Sequence, residues 1–299
     1  MTETAPWTVR RLLQWTQEFF SRKSVDAPRL SAELLLAHVL KYPRIKLYTD
    51  FERPLRDSEL AEFRGLVQRA AEHEPIAYLT GKAHFFNLEF RVTKDVLIPR
   101  PDTETLVEHV LQLARATPGM ESPRILDLCI GSGCIAAAIA YHLKNAVAWG
   151  IDISPAALEI ARANIEQLGL ASRVTLLQGD LYEPLQGSVD AQPFHVITAN
   201  PPYIPTSQLA ALDRSVRDYE PLSALDGGLD GLTLHHRILD GAAQRLIPGG
   251  RIYLEIAFDQ GPAALAITEG CDMFEDVRIL KDYHGKDRVL TARRKGPAS

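Results

Sequence analysis

The N-terminal part of the chain carries its apolar residues at helical spacing. Leu12, Leu13, Trp15 and Phe19 form one group and Leu34, Leu35, Leu36, Val39 and Leu40 another, so the run from Val9 to about Ala71 predicts helices. Asp26 and Asp57 stand where N-caps would begin the second and third of them. The period then shortens. Phe86, Leu88, Phe90 and Val92 alternate with Asn87, Glu89 and Arg91, the repeat of a half-exposed strand, and predict a β-hairpin connector after a turn at Thr80-Gly81. Val96-Leu97-Ile98 runs into Pro99-Arg100-Pro101, where proline blocks regular structure until Thr103 caps a helix reaching about Ala114.

Beyond a polar break at Thr117 to Pro123, short apolar runs alternate with helical ones. Ile125 to Leu128, Val147 to Ile151, Val174 to Leu177, Val196 to Ala199 and Ile252 to Ile256 read as strands. Ile135 to Leu143 and Pro155 to Leu168 read as helices, the latter capped by Ser154. That alternation predicts an α/β domain with a largely parallel, Rossmann-like sheet. The expected boundaries are a small helical domain at 1–80, the hairpin connector at 81–100 and the α/β domain at 101–299.

Composition narrows the class without choosing it. The 299 residues suit two domains, and 33 Lys plus Arg against 38 Asp plus Glu give a formal charge of -5, which disfavours broad binding to nucleic acid or anionic lipid. The three cysteines, Cys129, Cys134 and Cys271, do not suggest a disulfide framework or a zinc site. His235 and His236 are adjacent, so a helix points them about 100° apart, and no metal is expected. No run approaches the roughly 18 apolar residues of a membrane span, and charges interrupt the first 20 residues; a cytoplasmic, monomeric protein is expected.

Two loops at predicted strand ends carry the chemistry. The strand ending in Asp127-Leu128 is followed by Cys129-Ile130-Gly131-Ser132-Gly133 and then a helix, a turn that lets backbone approach a ligand closely. Asp152, at the end of the next strand, can accept hydrogen bonds from ribose hydroxyls, and Asp180, after the third, can meet an adenine amino group. This half of the pattern also fits a nicotinamide dinucleotide site. The second loop, Asn200-Pro201-Pro202-Tyr203, separates the two. Its prolines fix the backbone and leave carbonyls as acceptors, while the Asn200 side-chain oxygen supplies another. A primary amide nitrogen is a poor nucleophile, so an enzyme that alkylates it must hold both N–H bonds in line with the donor. Tyr203 is placed to pack on that planar amide beside a cationic sulfur. An exocyclic amine of adenine poses the same problem and stays open as an alternative substrate.

These islands resemble the release factor glutamine methyltransferases of the PrmC/HemK family. The resemblance rests on Glu74-Pro75-Ile76-Ala77-Tyr78-Leu79-Thr80-Gly81, Ile98-Pro99-Arg100-Pro101-Asp102-Thr103-Glu104, the glycine turn and Asn200-Pro201-Pro202-Tyr203-Ile204. It continues through Tyr219-Glu220-Pro221, Gly228-Leu229-Asp230-Gly231-Leu232, Leu254-Glu255-Ile256 with Gln260, and Asp282 to Arg288. It implies a helical domain that grips the release factor and a catalytic domain that moves a methyl group from S-adenosylmethionine to the glutamine of a Gly-Gly-Gln tip, leaving S-adenosylhomocysteine. A sister family that acts on a ribosomal protein shares the Asn-Pro-Pro-Tyr loop but differs after Ile-Pro-Arg.

The implied cofactor set is Asp127, Cys129, Ile130, Gly131, Ser132, Gly133, Asp152, Ile153, Asp180, Leu181 and Asn200. The implied catalytic set is Asn200, Pro201, Pro202 and Tyr203, with Arg100 as a further substrate contact or the partner of an acid. Cys129 stands where the resemblance expects a glycine, and Asp102 where it expects a glutamate.

Overall fold

A computed structural model describes residues 6–186 and 192–296. The chain divides into two compact units: residues up to Lys82 together with Asp213–Tyr219, and the remainder.

The first unit holds α1 (Val9–Arg22), α2 (Pro28–Leu40), α3 (Lys46–Thr49), α4 (Asp57–Ala71) and α5 (Ile76–Thr80). Phe20, Leu35, Leu36, Leu47 and Phe63 are its fully buried centre. Neither expected aspartate sits at an N-cap. Ala27 occupies that position before α2, because Pro28 begins the helix and Ser31 Oγ donates back to the Asp26 carbonyl at 2.7 Å. Asp57 is the first residue inside α4, where Glu59 accepts the Arg56 N–H at 2.9 Å. Gly81, with φ +71, closes the short helix α5, so the turn expected at Thr80-Gly81 is a helix end that leads into the hairpin.

The expected hairpin is present, with Phe86 in its turn and not in a strand. β1 (Lys82–Phe85) and β2 (Leu88–Arg91) flank Phe86 and Asn87, both at positive φ, which is the backbone of a two-residue turn. Phe85, Leu88 and Phe90 lie in the core of the second unit. After a 3-10 turn at Pro101–Thr103 the second unit continues with α6 (Glu104–Ala116), β3 (Arg124–Leu128), α7 (Cys134–His142), β4 (Val147–Asp152), α8 (Pro155–Gln167), β5 (Val174–Gln178) and β6 (Phe194–Ala199). The chain contributes α9 (Arg214–Arg217) to the first unit, where the Tyr219 hydroxyl donates to the Glu72 carbonyl at 3.1 Å. It then returns as α10 (Thr233–Arg245), β7 (Leu246–Glu255), α11 (Gly261–Glu269), β8 (Phe274–Lys281) and β9 (Asp287–Arg294).

The seven strands order as β5-β4-β3-β6-β7-β9-β8, parallel except for the pairings of β7 with β9 and β9 with β8. Alternate residues feed two apolar cores: Ile125 and Val196 pack into one, Leu126 and Ile197 into the other. Burial on both faces explains why the central strands read as mainly apolar runs. From β3 the chain steps outward through β4 and β5, then crosses back to β6 on the other side. The carboxyl ends of β3 and β6 therefore open a crevice at the point where strand order reverses.

Candidate active site

A cavity of about 220 Å³ occupies that crevice. On one side it is lined by Cys129, Ile130, Gly131 and Ser132 after β3, Asp152 and Ile153 after β4, and Asp180 and Leu181 after β5. Opposite them lie Asn200 and Pro202 after β6, with Arg100 and Thr103. Two loops that the sequence separates by about seventy positions thus face one space.

The glycine turn is held from below and from the side. Gly131 and Gly133 adopt φ of +54 and +82, and a Cβ on Gly133 would lie 3.3 Å from the Ala161 Cβ, so this turn packs tightly against α8. The Asp152 carboxylate accepts the Gly131 N–H and the Ser154 N–H, each at 2.9 Å, and is fixed at the cavity wall. Burial raises its pKa against those backbone N–H groups. Asn164, fully buried on α8, donates to the Ser132 carbonyl at 2.8 Å and exchanges two hydrogen bonds with the Arg91 backbone, tying the turn to the hairpin. Cys129 has φ +55, so the expected glycine position is a left-handed one that a Cβ occupies under strain. Its thiol is pushed up, first by burial and then by the carboxylates of Asp152, Asp127 and Asp180, and is not a thiolate.

Four of the expected contacts do not line the cavity: Asp127, Gly133, Pro201 and Tyr203. Asp127 lies behind the turn, where its two oxygens accept the Ala136 N–H at 3.1 Å and the Thr198 hydroxyl at 2.8 Å. It anchors the start of α7, and burial pushes its pKa up to about 7 against those two donors. Tyr203 turns its hydroxyl to Glu255 Oε1 at 3.3 Å. Asp180 is not free either, because Arg237 donates to its carboxylate at 2.7 Å from within the cavity wall. Arg100 pairs with the buried Glu220, whose other oxygen accepts the Ile98 N–H at 3.3 Å, so it braces the loop that precedes α6.

Several supporting residues were not singled out as site residues. Thr103, expected to cap α6, makes no capping bond and instead meets Asn200, whose Nδ2 lies 3.4 Å from its hydroxyl. Gln260 donates to the Tyr203 carbonyl at 2.9 Å and accepts the Ala257 N–H at 2.9 Å. A Cβ on Gly231 would stand 2.2 Å from the Tyr203 carbonyl oxygen, so glycine is required for the loop to close on Asn-Pro-Pro-Tyr. His235 meets the Glu255 carbonyl at 2.8 Å, and burial lowers its pKa to about 4. Besides the resemblance at Leu254-Glu255-Ile256, the signal for Glu255 was a carboxylate inside the apolar run Tyr253-Leu254-Glu255-Ile256.

A model for the PrmC N-terminal domain matches residues 11–81, and one for a methyltransferase domain matches residues 125–219. Over 96% of its length the chain is 43% identical to the release factor glutamine methyltransferase of Geobacter sulfurreducens, covering 97% of that protein. Over 97% it is 41% identical to the enzyme of the same name from Rhodopirellula baltica, covering 99% of it. The chain belongs to the release factor glutamine methyltransferases. With that family the choice between nicotinamide and methyl chemistry closes. The hMettl16 catalytic domain in complex with the MAT2A 3′UTR hairpin 6 has a TM-score of 0.54 over 82% of this chain and 84% of that one. At 14% identity it shares the fold alone. No helix among the described residues is long and apolar enough to cross a membrane.

Proposed function

We propose that this protein methylates the side-chain amide nitrogen of the glutamine in the Gly-Gly-Gln tip of a peptide chain release factor, with S-adenosylmethionine as donor. One observation carries the reading: Asn200 and Pro202 line the same cavity as the glycine turn and Asp152, so an amide-holding loop faces a nucleoside-holding one.

The residues present suit that cofactor. Gly131 and Ser132 offer backbone without bulk, Asp152 keeps unused lone pairs for ribose hydroxyls, and exposed Ile153 offers an apolar surface to an adenine face. Asp180, shared with Arg237, and Leu181 line the same end. The bound cofactor supplies an electrophilic methyl group on a sulfonium.

This chain's task is to present the nucleophile. The side-chain oxygen of Asn200, in the cavity wall, accepts one N–H bond of the substrate amide. The carbonyl of Pro201, the next residue of the loop and itself outside that wall, takes the other once the substrate enters. Together they turn the amide nitrogen toward the methyl group and favour the positive charge that develops there. A new N–C bond forms as the S–C bond breaks, and one N–H proton passes to water, since an alkylated amide nitrogen is strongly acidic. Pro201 and Pro202 keep the loop rigid during transfer. Tyr203 acts from behind by fastening the loop to Glu255. The helical first unit is assigned the grip on the release factor.

Incubation with methyl-labelled cofactor tests the reading. Label passes to a release factor and to neither DNA nor RNA; labelled nucleic acid with an unlabelled factor contradicts it.

A further inference from the structure

We infer that Glu255, acting through the Thr103 hydroxyl, sets which way round the Asn200 amide faces, so that its oxygen and not its NH2 meets the substrate. The inference rests on the methyl-acceptor reading above and adds two positioning residues to it.

Asparagine has two nearly isosteric ends of opposite polarity. Only the oxygen suits a substrate amide that must donate both its hydrogens, so a flipped Asn200 would oppose NH2 to NH2. Packing alone does not discriminate the ends; a hydrogen-bond partner must. In the structure that partner is Thr103, which receives Asn200 Nδ2 at 3.4 Å and leaves the amide oxygen for the cavity.

Thr103 is itself ambiguous, because a hydroxyl donates one hydrogen and accepts on the same oxygen. It accepts from Asn200 only if its own hydrogen goes elsewhere. The neighbouring acceptor is Glu255: Thr103 and Glu255 are each 1% exposed, and the nearby Thr103 hydroxyl pulls the carboxylate's pKa down, so turning its hydrogen to the unpartnered Oε2 satisfies both groups. Glu255 Oε1 takes the Tyr203 hydroxyl, while Oε2, buried, has no hydrogen-bond partner among the described residues. A buried carboxylate oxygen in need of a donor and a buried hydroxyl in need of an acceptor complete one another.

An ionised carboxylate is acceptor-only and therefore gives the chain one direction: Thr103 to Glu255, then Asn200 Nδ2 to Thr103. Burial pushes Glu255 up to about 7, while Thr103, Arg288 and Tyr203 pull it back and Asp102 opposes them. Cys134 and His235, the other titratable neighbours, are uncharged there: the thiol is pushed up to about 12, and His235, at about 4, meets only the Glu255 carbonyl. The one-way chain therefore prevails above neutral pH.

Substituting E255Q keeps the shape and reverses the polarity. The new amide oxygen still accepts from Tyr203, and its NH2 now donates to Thr103, whose hydrogen turns to Asn200. T103V deletes the relay, and T103S restores the hydroxyl.

The test measures, above pH 7, turnover, cofactor affinity, and the ratio of affinities for a release factor ending in Gly-Gly-Gln and one ending in Gly-Gly-Glu, whose tip carboxylate can only accept. For E255Q and T103V turnover falls about tenfold or more, cofactor affinity stays within about twofold, and the ratio moves about tenfold toward the glutamate tip. T103S returns both turnover and ratio most of the way. A ratio unmoved in T103V, or moved equally in T103S, overturns the inference even if turnover drops. Should E255Q fail to fold, the T103V and T103S pair decides alone. Wild-type protein that neither prefers nor methylates the glutamine tip would sink the functional reading first, whereas wild-type transfer with an unmoved ratio sinks only the inference.

Discussion

Replacing Asn200 with alanine removes the acceptor assigned to the substrate amide but leaves Gly131, Asp152 and their mutual hydrogen bond in place. N200A should therefore lose about 100-fold in turnover while cofactor affinity, read by calorimetry, changes by less than about threefold. Equal losses in both would remove Asn200 from the chemical step. Cys129 invites a second substitution, because it holds a left-handed backbone that β-branched side chains tolerate worst. C129V should lower both melting temperature and cofactor affinity. In C129G the relieved strain and the added freedom of the unfolded chain nearly cancel, so its melting temperature stays within about 4 °C of the parent. A large loss in C129G would show that the thiol's packing outweighs the strain. At this scale the sequence was informative for the residues that line the cavity, such as Asp152 and Asn200, whose type and place at strand ends announce them. It was uninformative for those that act through others. Thr103 read as a helix cap and Asp127 as a cofactor contact, because side-chain direction depends on neighbours that no local pattern encodes.

The β3, β4 and β6 strands were legible because burial on both faces leaves mostly apolar residues to read. The hairpin was expected in this stretch, but one of its turn residues was read as strand. Phe86 continues the apolar alternation but sits at φ +49 in the turn, where its N–H is taken by Glu104 Oε1 at 2.8 Å, a partner eighteen positions away. Segment 213–219, which joins the first unit, likewise has no local signature, since its packing is decided by distant residues. Strand β4 also shapes the site by what it lacks. A Cβ on Gly150 would lie 2.0 Å from Ile130 Cδ1, so the strand's missing side chain is what seats the glycine turn. G150A should cost about 1–3 kcal/mol by chemical denaturation and weaken cofactor binding with it. Unchanged stability would mean that Ile130 moves aside freely.

For the whole molecule, Asp127 and Glu255 are buried carboxylates whose folded-state pKa values are raised to about 7, in each case first by burial. Between about pH 4, where unfolded carboxylates titrate, and pH 7, the native state keeps protons that the unfolded chain has released. Stability from these two groups is therefore full below that window and lost as pH rises through it. D127N, which cannot ionise, should flatten this part of the melting-temperature profile between pH 5 and 7.5; an unaltered slope would show that Asp127 titrates in the ordinary carboxylate range. Family membership is carried by the whole chain, whereas the chemistry depends on one crevice between β3 and β6. Its most direct test is mass spectrometry of a release factor after incubation with this protein and isotopically labelled S-adenosylmethionine. One labelled methyl group should appear on the side-chain nitrogen of the Gly-Gly-Gln glutamine and be lost in N200A. A methyl group on any other residue, or an unmodified factor beside active, folded enzyme, would contradict the account.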